Sequence, residues 1–204
     1  MSTPLQPVTL EGSLVRLEPL SLDHLDALAA VGLDPDLWSI TVAQVRDRDE
    51  LRQWIEKALK EAVAGTALPF VTIERASGKA VGSSRLGNYS PFDRRIEIGW
   101  TWVARPWQRS GVNTEAKLLM LTHAFEQIGC VRVELKTDAI NQRSRNAILR
   151  IGAKEEGILR QHARTESGRF RDTVYFSIID SEWPEAKRRL QSMSEAGRSS
   201  IVDR

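Results

Sequence analysis

Apolar and polar positions change their period several times along this chain, and each change marks an element. Leu14 to Glu18 (LVRLE) alternates apolar and polar residues, the two-residue period of a half-buried strand. Leu22, Leu25, Leu28 and Ala29 then recur at helical spacing behind Ser21 as a cap, and the pattern stops at Gly32. A loop with Asp34, Pro35 and Trp38 follows. Asp47 with Glu50 three residues on has the form of a capping box. Leu51, Trp54, Ile55, Ala58, Leu59 and Ala62 carry one apolar stripe from there to Gly65, which predicts a second helix.

Three β-type runs come next, Leu68 to Glu74, Lys79 to Leu86 and Arg94 to Val103, with turn residues at Ser77-Gly78 and over Asn88 to Asp93. They predict an antiparallel meander. Gly99 lies inside the third run, where a glycine marks a bulge or a close backbone approach. Ala116 to Ile128 is apolar on most faces and ends at Gly129, as a well-buried helix does. Cys130 to Thr137 (CVRVELKT) alternates as a strand, and Asn141 to Ile151 reads as a helix capped by Asn141 and closed by Gly152. Ala153 to Arg160 and Arg171 to Ile179 form a last strand pair around Ser167-Gly168. From Glu185 onward the chain turns polar and is expected to fray, which leaves a core over residues 12–183 and a tail over 186–204.

The order βααβββαβαββ predicts one α/β domain with a mixed sheet. Its strands near residues 100 and 134, joined by a helical crossover, are parallel neighbours. A length of 204 residues suits a single domain of this kind. No apolar run approaches the roughly 20 residues of a membrane span, and Met1 to Pro7 lacks the pattern of a signal peptide, so the expected location is the cytoplasm. A lone cysteine, Cys130, reads as a small buried residue rather than a nucleophile. His24, His123 and His162 lack ligand spacing, so no metal is expected. The net charge of +2 is too small to point to nucleic acid. Between Arg143 and Arg171, however, eight Lys/Arg face three Glu, which favours an anion nearby.

The stretch RPWQRSGVNTEAKLL, residues 105–119, runs from a polar turn through Gly111 into a helix. A helix start offers unpaired N–H groups and partial positive charge, and a glycine lets the backbone come close to an anion. The same sequence also suits a plain strand-to-helix linkage. Neither G-x-x-x-x-G-K-[ST] nor G-x-G-x-x-G is present, so the common nucleotide loops do not apply.

With Val103 and Pro106 before it, Gln108-Arg109-Ser110-Gly111-Val112-Asn113 resembles the Q/R-x-x-G-x-G/A signature of the GNAT superfamily of acyl-CoA-dependent N-acyltransferases, and most closely its RimJ/RimL-like branch. Thr114-Glu115-Ala116, Asn141-x-x-Ser144, Ile151-Gly152, Glu156-Gly157, Gly168 to Asp172 and Glu182-Trp183 continue the likeness in order. Asn113 departs from the family's Gly or Ala and either shifts the ligand or donates its own amide.

The resemblance implies an acetyl-CoA-dependent N-acetyltransferase in which two parallel strands splay. Pantetheine would bond to backbone groups from Thr101 through Trp102 to Val103, with Gly99 supplying the bulge, and the diphosphate would rest on the turn from Gln108 to Thr114. It assigns Glu97 first as general base, with Glu156 or a water chain as the alternatives. The bland reading of either glutamate is an exposed salt bridge, for Glu97 with Arg85, Arg94 or Arg95. Ser144 would bond the leaving thiolate, since the family's tyrosine is replaced by Ile148, and Asn141 would position pantetheine or simply cap its helix. Trp38 is a candidate substrate contact, and Trp54 reads as core. The acceptor is a primary amine of a protein N-terminus, an amino acid or a small molecule. Family habit implies a homodimer, without membrane or metal. Competing readings are a non-catalytic acyl-CoA-binding regulatory module and a ribosome- or nucleic-acid-associated domain using the basic stretch.

Overall fold

Asp47 does start a helix: its carboxylate accepts from Asp49 N at 3.0 Å and Glu50 N at 2.9 Å, and α2 runs Arg48–Val63. The reciprocal half of the capping box goes elsewhere, because Glu50 turns back to Arg46 N at 2.8 Å. In a computed structural model describing residues 5–202, the other elements are β1 (Leu10–Glu11), β2 (Val15–Pro19), α1 (Leu25–Gly32), β3 (Leu68–Glu74), β4 (Ala80–Ser90) and β5 (Arg95–Val103). Then come α3 (Val112–Thr122, prolonged by a π turn to Gln127), β6 (Arg132–Asp138), α4 (Gln142–Arg150), β7 (Lys154–Arg164), β8 (Phe170–Ile179) and α5 (Trp183–Val202).

The strands form one sheet in the order β1-β2-β3-β4-β5-β6-β8-β7. All neighbouring pairs are antiparallel except β5 with β6, the pair joined by the α3 crossover. Helices α1 and α2 cover one face with Leu25, Leu28, Leu51 and Ile55, while α3, α4 and α5 cover the other with Ala116, Met120, Ile148 and Leu190. On β6 and β8 the core side takes Val133, Leu135, Val174, Phe176 and Ile178. Arg132, Glu134, Lys136, Tyr175 and Ser177 alternate with them and form a polar face on the side of α1 and α2.

Two expectations need correction. The segment 88–93 is not all turn, because β4 continues to Ser90. Residues 183–202 form α5 where a fraying tail was expected: Ala186, Leu190 and Ser194 are buried at four-residue spacing and make one stripe against the core. Three anchors spaced by mostly polar residues, one of them a serine, are easy to overlook in a composition.

Helix α3 is fastened through Glu115. This buried carboxylate accepts from Ser13 N (3.0 Å), Leu14 N (2.6 Å), Val15 N (2.8 Å) and Ser13 Oγ (2.7 Å), with Ser194 Oγ of α5 at 3.4 Å. Gly12 leaves room for it, since an added Cβ would lie 2.4 Å from Glu115 Oε2. Glu115→Gln keeps the shape but puts an amide N–H against backbone donors. It is expected to lower unfolding free energy by about 2 kcal/mol in a denaturant titration, the worth of a charge-assisted bond to a buried acceptor. An unchanged midpoint would show that the neutral oxygen suffices.

Candidate active site

Strands β5 and β6 pair only through Arg95↔Arg132, Ile96↔Val133 and Glu97↔Glu134. Beyond that point β6 stays with β8 as far as Asp138↔Thr173, and β5 stays with β4 as far as Gly82↔Val103, so the two part. A bulge drives the parting. Between the pairs Arg85↔Gly99 and Ser83↔Trp102, β4 advances from 83 to 85 while β5 advances from 99 to 102, one residue more. The residue of this bulge that takes a left-handed turn is Trp100, with φ +52°, one position after the Gly99 that the sequence marks. Gly99 serves differently: an added Cβ there would press on Glu97 Oε1 at 3.0 Å.

The bulge is held from the α3 side. Lys117 Nζ donates to Thr101 Oγ1 at 2.7 Å and Ser84 Oγ at 3.2 Å, and the two hydroxyls lie 2.6 Å apart. Among the described residues no carboxylate pairs with this buried lysine, and desolvation lowers its pKa from 10.5 to about 7.

The separated edge of β5 presents backbone groups to the gap. Trp102 O points at β4, where a Cβ on Gly82 would come within 2.3 Å of it, so the groups of Thr101 and Val103 alternate toward the space that β6 has left. One of them already has a partner: Gln108 Nε2 donates to Val103 O at 2.8 Å, an amide bond of the kind a ligand would make there. The Trp102 indole is buried under α1 and takes no part in this edge.

The turn after β5 ends in a backbone nest. Arg109 has φ +63°, and Gly111, the N-cap of α3, has φ +87° before Val112 turns helical. The first intrahelical bond is Glu115 N to Gly111 O at 3.0 Å, so the N–H groups of Val112, Asn113 and Thr114 are the free donors of the first turn. Ser110 Oγ ties the turn to Trp107 O at 2.5 Å. Asn113 Oδ1 is buried with no hydrogen-bond partner. Arg150 of α4 reaches Thr114 Oγ1 at 3.5 Å and adds a cation beside the nest. In the sequence Arg150 stands only as one of the eight basic residues between Arg143 and Arg171, because α4 and α3 meet only in three dimensions.

Glu97 lies between Ile96 and Ile98 at the last paired position before the gap, 7% exposed. Its Oε2 accepts from Asn88 Nδ2 and Lys136 Nζ, both at 2.7 Å. The expected arginine partners are engaged elsewhere: Arg85 with Glu61 at 2.6 Å between the Trp54 and Trp100 rings, Arg94 with Gly129 O at 2.7 Å, and Arg95 with Asp93 at 3.3 Å. Burial works against the Lys136 charge, but the Glu97 charge and hydrogen bond, with Tyr175, outweigh it and leave its pKa raised. Neither Asn88 nor Lys136 carries a sequence signal, since both reach Glu97 across neighbouring strands.

The other predicted residues fall as follows. Asn141 Oδ1 accepts from Ser144 N at 3.0 Å, the geometry of a helix cap, and Ile148 is buried in the core. Glu156 is 45% exposed and bonded to Arg132 at 2.7 Å and to Ser177. The Ser177 hydrogen bond first, then that of Arg132, lower its pKa. Trp38 is not an exposed contact residue. It is 4% exposed, donates its indole N–H to Gly32 O at 2.7 Å and packs against Trp54 and Trp102, because the loop folds back over α1. Cys130 is buried and its thiol is pushed up to about 11 by burial, which suits packing and not nucleophilic chemistry.

A family model described as an acetyltransferase (GNAT) domain matches residues 15–154. A Bacillus subtilis protein named provisionally as the ribosomal N-acetyltransferase YdaF is 34% identical over 110 residues, 54% of this chain and 59% of that protein. The matched region thus spans about three fifths of this curated relative. The crystal structure of a GCN5-related N-acetyltransferase from Brucella melitensis is 35% identical, with a TM-score of 0.85, covering 93% of this chain and 86% of that one. Mycobacterium smegmatis RimJ, solved in complex with CoA-disulfide, is 25% identical, with a TM-score of 0.75 over 94% of each chain.

Proposed function

The chain belongs to the GNAT acetyltransferase family, and on that premise we propose that it transfers the acetyl group of acetyl-CoA directly to a primary amine. The observation that carries this reading is the gap between β5 and β6, with a free strand edge on one side and a backbone nest at its end. In this reading the nest at Gly111 to Thr114, with Arg109 and Arg150, holds the diphosphate, and the amides of pantetheine bond to Thr101 and Val103 as an added strand. Bound there, acetyl-CoA supplies an electrophilic thioester carbonyl.

The protein groups then have separate tasks. An alkyl amine is mostly protonated at neutral pH, and Glu97, fixed by Asn88, takes its proton. Ser144, on the first turn of α4, is the candidate donor to the departing sulfur, with Asn141 holding that turn. The ribosomal N-acetyltransferase name that YdaF carries favours a protein amine as acceptor over a free amino acid or small amine.

Gly111→Glu puts a side chain on a left-handed residue and a negative charge in the nest, and is expected to abolish acetyl-CoA binding measured by calorimetry while far-UV circular dichroism stays native. Thiol release from acetyl-CoA in the presence of a panel of amines and N-terminal peptides tests the transfer itself. Tight binding by the variant, or release from wild type that no amine accelerates, would reject the proposal.

A further inference from the structure

On the polar face of the sheet, the end of Lys136 is held as a bound alkylammonium would be. Its Nζ lies 2.7 Å from Glu97 Oε2, 3.7 Å from Glu134 Oε2 and 4.6 Å from the centre of the Tyr175 ring. Two carboxylates and an aromatic face are the parts from which cation sites are built. Asn88 and His162 complete the surround, the first through Glu97 and the second through Tyr175, whose hydroxyl lies 3.5 Å from His162 Nε2.

Position adds to the contacts. Lys136 stands on β6 two residues past Glu134, the last residue of β6 paired with β5, so its ammonium lies where the strands have already parted. Its side chain is 18% exposed, which excludes much of the water that would otherwise compete. It therefore occupies the place, beside Glu97, that an external amine must reach.

We propose that Lys136 is an internal acceptor, acetylated at Nζ by the chain's own acetyl-CoA. This rests on the reading above for where the thioester arrives. One proton passes from the ammonium to Glu97 Oε2 along the existing hydrogen bond. The neutral Nζ forms a bond to the thioester carbonyl carbon, the carbon–sulfur bond breaks, and the sulfur leaves as the CoA thiol with the second amine proton. Glu97 then gives its proton to solvent, which balances the reaction. A lysine whose positive form is favoured by its surroundings is a poor nucleophile unaided, so the step depends on Glu97. Its product is neutral, and Glu97 loses its ionic partner while keeping Asn88. Acetylated Lys136 thus clears the carboxylate for an incoming ammonium.

The full chain, incubated with acetyl-CoA and no amine, is digested and read by mass spectrometry. One acetyl group is expected on the Lys136 peptide well before the exposed Lys57, Lys60 and Lys79 acquire any. Glu97→Gln should slow that labelling by about a hundredfold, the low end of general-base catalysis, and Lys136→Arg should abolish it while retaining a cation beside Glu97. Absence of label on Lys136 in a chain that binds acetyl-CoA by calorimetry would overturn the inference alone. Labelling that is as fast in Glu97→Gln, or no faster than at Lys79, would overturn it as well. A wild-type chain that fails to bind acetyl-CoA would instead remove the proposed function, and this inference with it.

Discussion

Glu97→Gln is expected to lower kcat on an amine acceptor by about 10²- to 10⁴-fold and to leave the Kd for acetyl-CoA unchanged, the range assigned to a positioned general base. The substitution preserves size, so Gly99 still accommodates it and the bulge should persist. What it removes is the proton acceptor and the anion that holds Lys136. Glu156 makes a weaker candidate, since its pKa is lowered by Ser177 and Arg132 and nearly half of its side chain faces water. Steady-state kinetics paired with calorimetry separate the two roles. A kcat at the wild-type level would take the base assignment from Glu97 and return it to Glu156 or a water chain.

Lys117→Met is expected to stabilise the fold near neutral pH and to flatten its pH dependence. Desolvation lowers the folded pKa from 10.5 to about 7, so between these values the unfolded chain binds more protons than the folded one, and stability rises with pH across that window. Below it the folded state bears the whole penalty. A fall of that size corresponds to about 5 kcal/mol as an upper bound. The bonds to Ser84 and Thr101 offset part of it, and a net gain of about 2–4 kcal/mol is expected in Met, whose length is similar and whose neighbours keep their own 2.6 Å hydroxyl contact. Denaturant unfolding of both chains, from about pH 6 to about pH 9, reads the difference. A Met variant that is less stable at neutral pH, or that keeps the wild-type slope, would show that the ammonium contributes more than its burial costs.

The parts of the molecule legible in the sequence are those set by local pattern. Helix α2 announces itself by a capping aspartate and an unbroken apolar stripe, β6 by strict alternation, and the β5–α3–β6 crossover by element order alone. The turn at Gly111 was legible because a left-handed N-cap leaves few alternatives to glycine. Features that depend on contacts between distant segments were not legible. A tryptophan with positive φ has no local signature, so the sequence points to Gly99, one residue before the left-handed position. The Lys136–Glu97 pair spans 39 residues, and Trp38 lies in a loop whose return to the core no periodicity records. Helix α5 was hidden because Lys187, Arg188 and Arg189 separate its first two anchors and its third is a serine.

The parting of β5 from β6 has a thermodynamic corollary. Ladder bonds zip the seam at one end, a two-for-three register mismatch forces it open at the other, Lys117 ties α3 to the β5 margin, and Glu115 ties the same helix to the segment entering β2. On the proposed function, a visiting coenzyme would meet a ready-made berth and need not prise strands apart on arrival. Its association should proceed with little reorganisation of the backbone, so the affinity it gains from each new amide contact is kept rather than consumed in reshaping the host.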